Sequence, residues 1–212
     1  MLPSSTVVGG DFFEIVPMGE RTGVAVGDVS GKGIPAALLM VMVRTLLREI
    51  ARGLAEPAEV LTRLNVSLCL DMPPSMFATL VLAVLDPTQP GRVTMSSGGH
   101  PDPVLFRAGG EPTAVDMGAA GGPVLGVFDD SVYEQTTLGL DAPGDALILV
   151  TDGILEAQDQ DGRRPGRAAL RPVLVRGRAR NPQALARLLA EDVLRRGGSR
   201  IQDDMTVFVL RR

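Results

Sequence analysis

The chain of 212 residues is poor in the side chains that most often do covalent chemistry, having one histidine, one cysteine, one tyrosine and no tryptophan. A single His100 argues against a serine triad, and no Gly-x-Ser-x-Gly elbow is there to present a serine. Cys69 has no disulfide partner and lies in an apolar helical segment, which is consistent with a reducing, cytoplasmic compartment. No Arg follows it at the spacing a cysteine phosphatase loop needs. So few His and Cys also disfavour zinc. Positive charge is not in excess: 21 Lys and Arg stand against 25 Asp and Glu, for a net charge of -4. No basic patch is therefore expected, and nucleic acid is not an expected partner. No apolar run approaches the ~20 residues of a membrane span, and no signal peptide precedes the fold.

What the chain does have is aliphatic residues and turn formers, with 45% hydrophobic residues, 25 Gly and 16 Pro. That is enough for one well-packed α+β domain, and no linker, repeat or low-complexity segment divides it. The period-2 pattern predicts a hairpin from Val7–Pro17 and Thr22–Val29, with Asp11 and Asp28 at its ends. Helices are predicted over Pro35–Arg52 and Pro57–Asp71, where apolar residues such as Leu39, Val43, Leu46 and Ile50 recur at spacings of three and four. Met40 and Met42 read as core filling. Met76–Leu85, Arg92–Ser97 and Val104–Arg107 suggest an antiparallel meander, with Pro112–Met117 a further strand, Gly118–Gly126 a loop and Val132–Leu140 another strand. Ala146–Val150 is apolar throughout, the mark of a strand buried on both faces, and ends in Thr151-Asp152-Gly153. Helices over Arg167–Val175 and Pro182–Arg196 precede a last strand, Met205–Leu210.

The stretch Gly27-Asp28-Val29-Ser30-Gly31-Lys32-Gly33-Ile34-Pro35 puts a carboxylate where a strand ends and a helix begins. Alone, such an Asp reads as a helix cap or as a metal ligand. Asp11, Asp152 and Asp203 or Asp204 share its context, each at the end of a β-like run beside Gly or another Asp. Oxygen ligands without His or Cys suit hard ions such as Mg²⁺ or Mn²⁺, whereas each Asp taken singly could simply make a turn. A Walker A loop does not fit, because Val26 stands where its first Gly should be and Gly33 follows Lys32. His100, in the turn Gly98-Gly99-His100-Pro101, reads as a structural residue or one near the site.

Taken in order, these stretches resemble the metal-dependent protein serine/threonine phosphatases, specifically the bacterial stage II sporulation protein E and RsbU-like branch. Gly9-Gly10-Asp11-Phe12-Phe13 resembles its first metal motif, and Gly27–Gly33 with Pro35-Ala36-Ala37 its second. Met76-Phe77-Ala78-Thr79, Gly98–Pro101 and Leu125-Gly126-Val127 match three structural motifs. Thr151–Glu156 and Gln202–Val207 match the last two metal motifs.

The resemblance implies a four-layer α-β-β-α sandwich, two antiparallel sheets with helices packed outside. It implies two Mn²⁺ or Mg²⁺ ions, with Asp28 bridging both, the Val29 carbonyl adding an oxygen, Asp11 on one ion and Asp152 and Asp203 on the other. Asp204 takes a place where many relatives have Asn, which suits a third ion or a supporting role. A metal-activated water would replace a protein nucleophile, and His100 is a candidate acid for the leaving group. The implied substrate is a phosphorylated protein, an anti-sigma-factor antagonist. An upstream sensor or receiver module is implied in the parent protein, of which residues 1–212 would be one catalytic domain. A homodimer is left open. Two other readings stand beside this one. A pseudophosphatase would signal by contact without hydrolysis. A nucleotide cyclase is suggested only by the likeness of Gly9–Phe13 to a Gly-Gly-Asp-Glu-Phe signature, and Phe12 occupies the place of its acid.

Overall fold

Alternation along the first hairpin sets the layering. In β1 (Phe12–Met18), Phe12, Glu14, Val16 and Met18 are buried while Phe13, Ile15 and Pro17 are exposed. β2 (Arg21–Val29) pairs with it antiparallel, Phe12 opposite Gly27. In the computed structural model, which describes residues 9–108, 110–197 and 204–212, these strands begin a six-stranded sheet. It continues through β3 (Ala78–Leu85) and β4 (Arg92–Gly98). A second sheet of four strands has the order β10-β9-β5-β6, from Val207–Arg211, Ala146–Val150, Val104–Phe106 and Pro112–Ala114.

The central strands have two apolar faces because each sheet is covered twice. Val24, Val26, Val81, Ala83 and Met95 of the first sheet meet Leu147 and Leu149 of the second in a core between them. On the outer face of the first sheet, Phe12, Val16, Leu80 and Leu82 pack against Val43, Leu47, Leu61, Leu64 and Leu68. Those residues belong to α1 (Ile34–Ala51) and α2 (Pro57–Asp71). On the outer face of the second, Ile148 and Val150 pack against Leu174, Leu185, Leu189 and Val193 of α4 (Leu170–Gly177) and α5 (Pro182–Gly197). The result is the α-β-β-α sandwich with the two expected helix pairs outside. Ala146–Val150 is fully buried because its alternate residues serve different layers.

Glu14 faces the helical layer with 9% of its surface exposed and is neutralised there by Arg44 of α1, whose Nη2 lies 2.6 Å from its carboxylate. A buried carboxylate needs such a partner.

Three expectations are corrected. The segment Met76–Arg107 is not one meander, because the chain leaves the first sheet after β4 and joins β9 of the second as β5. Gly99, with φ +68, sits at that crossing, where the left-handed conformation suits glycine. The strand expected over Val132–Leu140 is limited to β8 (Thr136–Gly139), which pairs with β4. Gly121 and Gly122, expected in a loop, form β7 and lie parallel to β4, so the first sheet has one short parallel pair. Among the described residues, no helix is long and apolar enough to cross a membrane.

Candidate metal centre

The two sheets bring their aspartates to one end of the sandwich. Beyond the pair Phe12–Gly27, the β1–β2 register puts Asp11 across from Asp28, and the Val29 N–H donates to the Gly10 carbonyl at 3.2 Å. On its other side Asp28 pairs with Thr79 of β3. In the second sheet the Thr151 N–H donates to the Thr206 carbonyl at 3.2 Å, just past the last β9–β10 pair, and the chain turns into α3 (Asp152–Leu155). One carboxylate oxygen each from Asp11, Asp28 and Asp152 then lie within 4.8 Å of one another, all three side chains half-buried.

Asp28 does not cap α1. The residue before that helix is Gly33, with φ 81 and no side-chain cap bond, and Pro35 lies in the first turn. Gly31 and Gly33 both take positive φ, so the turn between Val29 and the helix is built for glycine and leaves the Asp28 carboxylate to other contacts.

The donor set fits a hard divalent ion. Three carboxylates gathered in so small a space repel unless a cation or protons neutralise them. Asp11 shows the strain in its protonation: burial, with the charges of Asp152 and Asp204 adding to it, pushes its carboxyl up to about 6, against the hydrogen bonds from Thr151 and Thr206. The glycines make room for oxygen atoms. A Cβ on Gly10 would fall on the Val29 carbonyl oxygen and come within 2.6 Å of Asp28 Oδ1, and one on Gly153 would fall on the Asp204 carbonyl. A Cβ on Gly9 would fall on the Asp204 carboxylate, which places Asp204 beside the start of β1 and close enough to act on Asp11. Asp203 lies outside the described residues.

Thr151 is a residue for which the sequence reading had no role. It is fully buried, donates from Oγ1 to Asp11 Oδ2 at 2.5 Å and accepts from the Thr206 N–H at 2.9 Å. One hydroxyl therefore ties the first sheet's carboxylate to the second sheet's backbone. Its signal in the sequence is its place at the head of the Thr151–Glu156 motif, as a polar residue ending an apolar run directly before Asp152.

A cavity of about 470 Å³ opens beside the cluster, walled by Asp28, Thr79, His100, Asp152, Glu156 and Arg167 among others. His100 is both things the sequence allowed, a buried residue and a wall of the site. Its Nδ1 meets Thr79 Oγ1 at 3.0 Å, and its Nε2 is buried without a hydrogen-bond partner of normal geometry among the described residues. Burial pushes the imidazole down to about 4, so near pH 7 the ring is neutral. Arg167 was read only as the start of a helix, and nothing in its local pattern pointed to the site. It comes from the 3₁₀ turn Gly166–Ala169, which a loop connects to α3.

A family model described as stage II sporulation protein E (SpoIIE) matches residues 18–212. The chain belongs to the SpoIIE family. That match takes in Asp28 and Asp152, while Asp11 precedes it. A relative, the phosphoserine phosphatase RsbU of Bacillus subtilis, is 30% identical over 207 residues, covering 97% of this chain and 60% of that protein. The solved RsbU and RsbW domains of Rv1364c from Mycobacterium tuberculosis superpose with a TM-score of 0.83 at 28% identity. They cover all of this chain and 57% of theirs. The PP2C phosphatase domain of SpoIIE from Bacillus subtilis superposes at 0.78 with 21% identity, over 97% of this chain and 62% of that one, and so shares the fold. The chain thus has the PP2C phosphatase fold and spans 60% or less of the length of the curated relatives it matches over nearly its whole extent.

Proposed function

We propose that the protein is a metal-dependent phosphatase that hydrolyses phosphoserine or phosphothreonine on a regulatory protein. The observation that carries this reading is the convergence of Asp11, Asp28 and Asp152 from two sheets within 4.8 Å, beside a cavity. Asp11, Asp28, Asp152 and the Val29 carbonyl would hold two Mn²⁺ or Mg²⁺ ions, with Asp203 completing the set and Asp204 available to a third ion. Such ions, when bound, supply a water of lowered pKa and offset the charge of a phosphoryl group.

The chain's own residues do the rest. Thr151 fixes the Asp11 carboxylate from behind, and the ladder between β2 and β3 fixes Asp28. The protein's own nucleophiles are either remote from the site or held by a backbone hydrogen bond. Cys69 is on α2 in the outer layer, and burial pushes its thiol above the ordinary range. The Ser30 hydroxyl accepts from the Phe77 N–H at 2.8 Å, which holds it in the wall of the cavity. Neutral His100 can offer only the proton of an uncharged ring to a departing seryl oxygen, so a solvent proton is the stronger source.

The substrate class carried over from the resemblance is a phosphorylated anti-sigma-factor antagonist. The same reading makes residues 1–212 the catalytic domain of a cytoplasmic protein with an upstream sensor or receiver module and room for a homodimer. The test is phosphate release from a phosphoserine protein as a function of Mn²⁺. Asp28→Ala and Asp152→Asn should each abolish release and weaken Mn²⁺ binding in calorimetry at least 10-fold. Full activity of the wild-type chain in excess chelator would refute the mechanism.

A further inference from the structure

We propose that Arg167 binds the phosphoryl group of the substrate in the cavity beside the metal centre. This rests on the reading of that centre as a phosphatase site. The first metal motif, Gly9–Phe13, contains no arginine, so an arginine that contacts the phosphoryl group alongside the metal ions would come from another part of the fold.

Arg167 lines the same cavity as Asp28 and Asp152. Its Nη2 donates to the Asp102 carbonyl at 3.2 Å and lies 3.3 Å from the Asp102 carboxylate. These contacts hold the head of the side chain in place without consuming it. The two side chains are 38% and 42% exposed, and an ion pair that open to water contributes little.

The Nε atom differs in that it is sealed from solvent and has no hydrogen-bond partner among the described residues. A buried N–H left unmet on a cation is unfavourable, so the guanidinium gains by turning toward an acceptor, and a phosphoryl oxygen seated in the cavity supplies one. The guanidinium is also suited by shape, because its planar fork meets two oxygens of one phosphate where an ammonium meets one.

Neighbouring charges leave this role to Arg167. Among the described residues that line the cavity, Arg167 is the one Lys or Arg, and Glu156 on the same wall is paired with Arg164 at 3.2 Å. Arg163 lies 3.6 Å from Asp161 on the same loop. Arg167 is thus the arginine of the loop that faces the site, and a phosphoprotein entering the cavity meets it together with the metal-binding carboxylates.

The experiment uses the full chain with Mn²⁺, p-nitrophenyl phosphate and a phosphoserine peptide as substrates, and inorganic phosphate as the binding probe. Arg167→Met should raise KM for both substrates and the inhibition constant of phosphate about 10-fold. Its kcat should change less than 3-fold, with the melting temperature and Mn²⁺ affinity unaltered. Arg167→Lys should recover part of the loss. Arg167→Gln keeps a side chain able to donate to Asp102 but has no charge, and it should behave like Arg167→Met. Wild-type phosphate affinity in Arg167→Gln, or an unchanged inhibition constant in Arg167→Met, would overturn the proposal. Calorimetry of phosphate on the Mn²⁺-loaded protein reads the arginine without turnover. An inactive wild-type chain would therefore sink the phosphatase reading, while this measurement still decides on Arg167.

Discussion

Replacing Thr151 by Val removes one hydroxyl from between the sheets and leaves the volume nearly unchanged. Two interactions go with it. The Asp11 carboxylate loses a donor at 2.5 Å, and the Thr206 N–H loses its acceptor at 2.9 Å. A hydrogen bond to a charged group contributes ~1.5–3 kcal/mol, and a buried amide left without a partner costs ~1–3 kcal/mol. The added methyl returns less than ~1 kcal/mol by burial, and half-buried Asp11 recovers part of its loss from water. The net cost is about 2 kcal/mol. With a urea m-value of ~2.5 kcal/mol/M, the unfolding midpoint of the metal-free protein should fall by about 0.8 M. A positioning residue behind a ligand typically governs 10-fold or more of metal affinity, so Mn²⁺ binding by calorimetry should weaken about 10-fold. Thr151→Ser keeps the hydroxyl and should retain most of both. A Thr151→Val protein with its midpoint within 0.2 M of the wild type and its Mn²⁺ affinity within 2-fold would refute the bridge.

Gly10→Ala drives a methyl into the Val29 carbonyl and leaves it 2.9 Å from the Val29 nitrogen, atoms that the β-ladder prevents from yielding. It should destabilise the fold by about 2 kcal/mol and weaken Mn²⁺ binding at least 10-fold, and a variant that unfolds and binds like the wild type would contradict the cradle. Asp145 gives a pH signature away from the site. Burial would raise its pKa, but the Ala108, Asp141 and Ala142 amides and Arg107 outweigh burial and hold it at about 2, below the ordinary 3.8. A depressed folded-state pKa stabilises above the unfolded value, so this contribution is complete above about pH 4 and lost as the pH falls toward 2. Asp145→Asn should flatten that part of the stability curve measured by urea unfolding; an undiminished acid slope would place the effect in other carboxylates.

Much of the site was legible because its geometry follows from local rules. Asp11 and Asp28 end paired strands, and a hairpin with a short turn puts such ends opposite each other whatever surrounds it. The glycine-rich stretch Gly27–Pro35 marked the break between a strand and a helix, and Ala146–Val150 announced a strand buried on both faces. Asp28 as a helix cap was equally compatible with the local sequence. It failed because the chain runs from Val29 through glycines to a helix whose preceding residue is Gly33, a path set by packing of α1 on the first sheet.

The errors have the same origin. Val104–Phe106 has the pattern of a strand but nothing in it that states a partner, and its neighbour proved to be β9 in the other sheet. Gly121 and Gly122 carry no side-chain signal and pair through their backbone alone.

The hairpin, the helices, the buried strand and the choice of oxygen ligands follow from periodicity, turn chemistry and residue type, which are local properties of the chain. That Asp152 joins Asp11 and Asp28, that Thr151 links the sheets, and that Arg167 reaches the same cavity follow from the packing of distant segments. Those residues are separated by up to 156 positions in the chain. Their meeting depends on two sheets being pressed face to face by the apolar core between them, and no local pattern encodes that alignment.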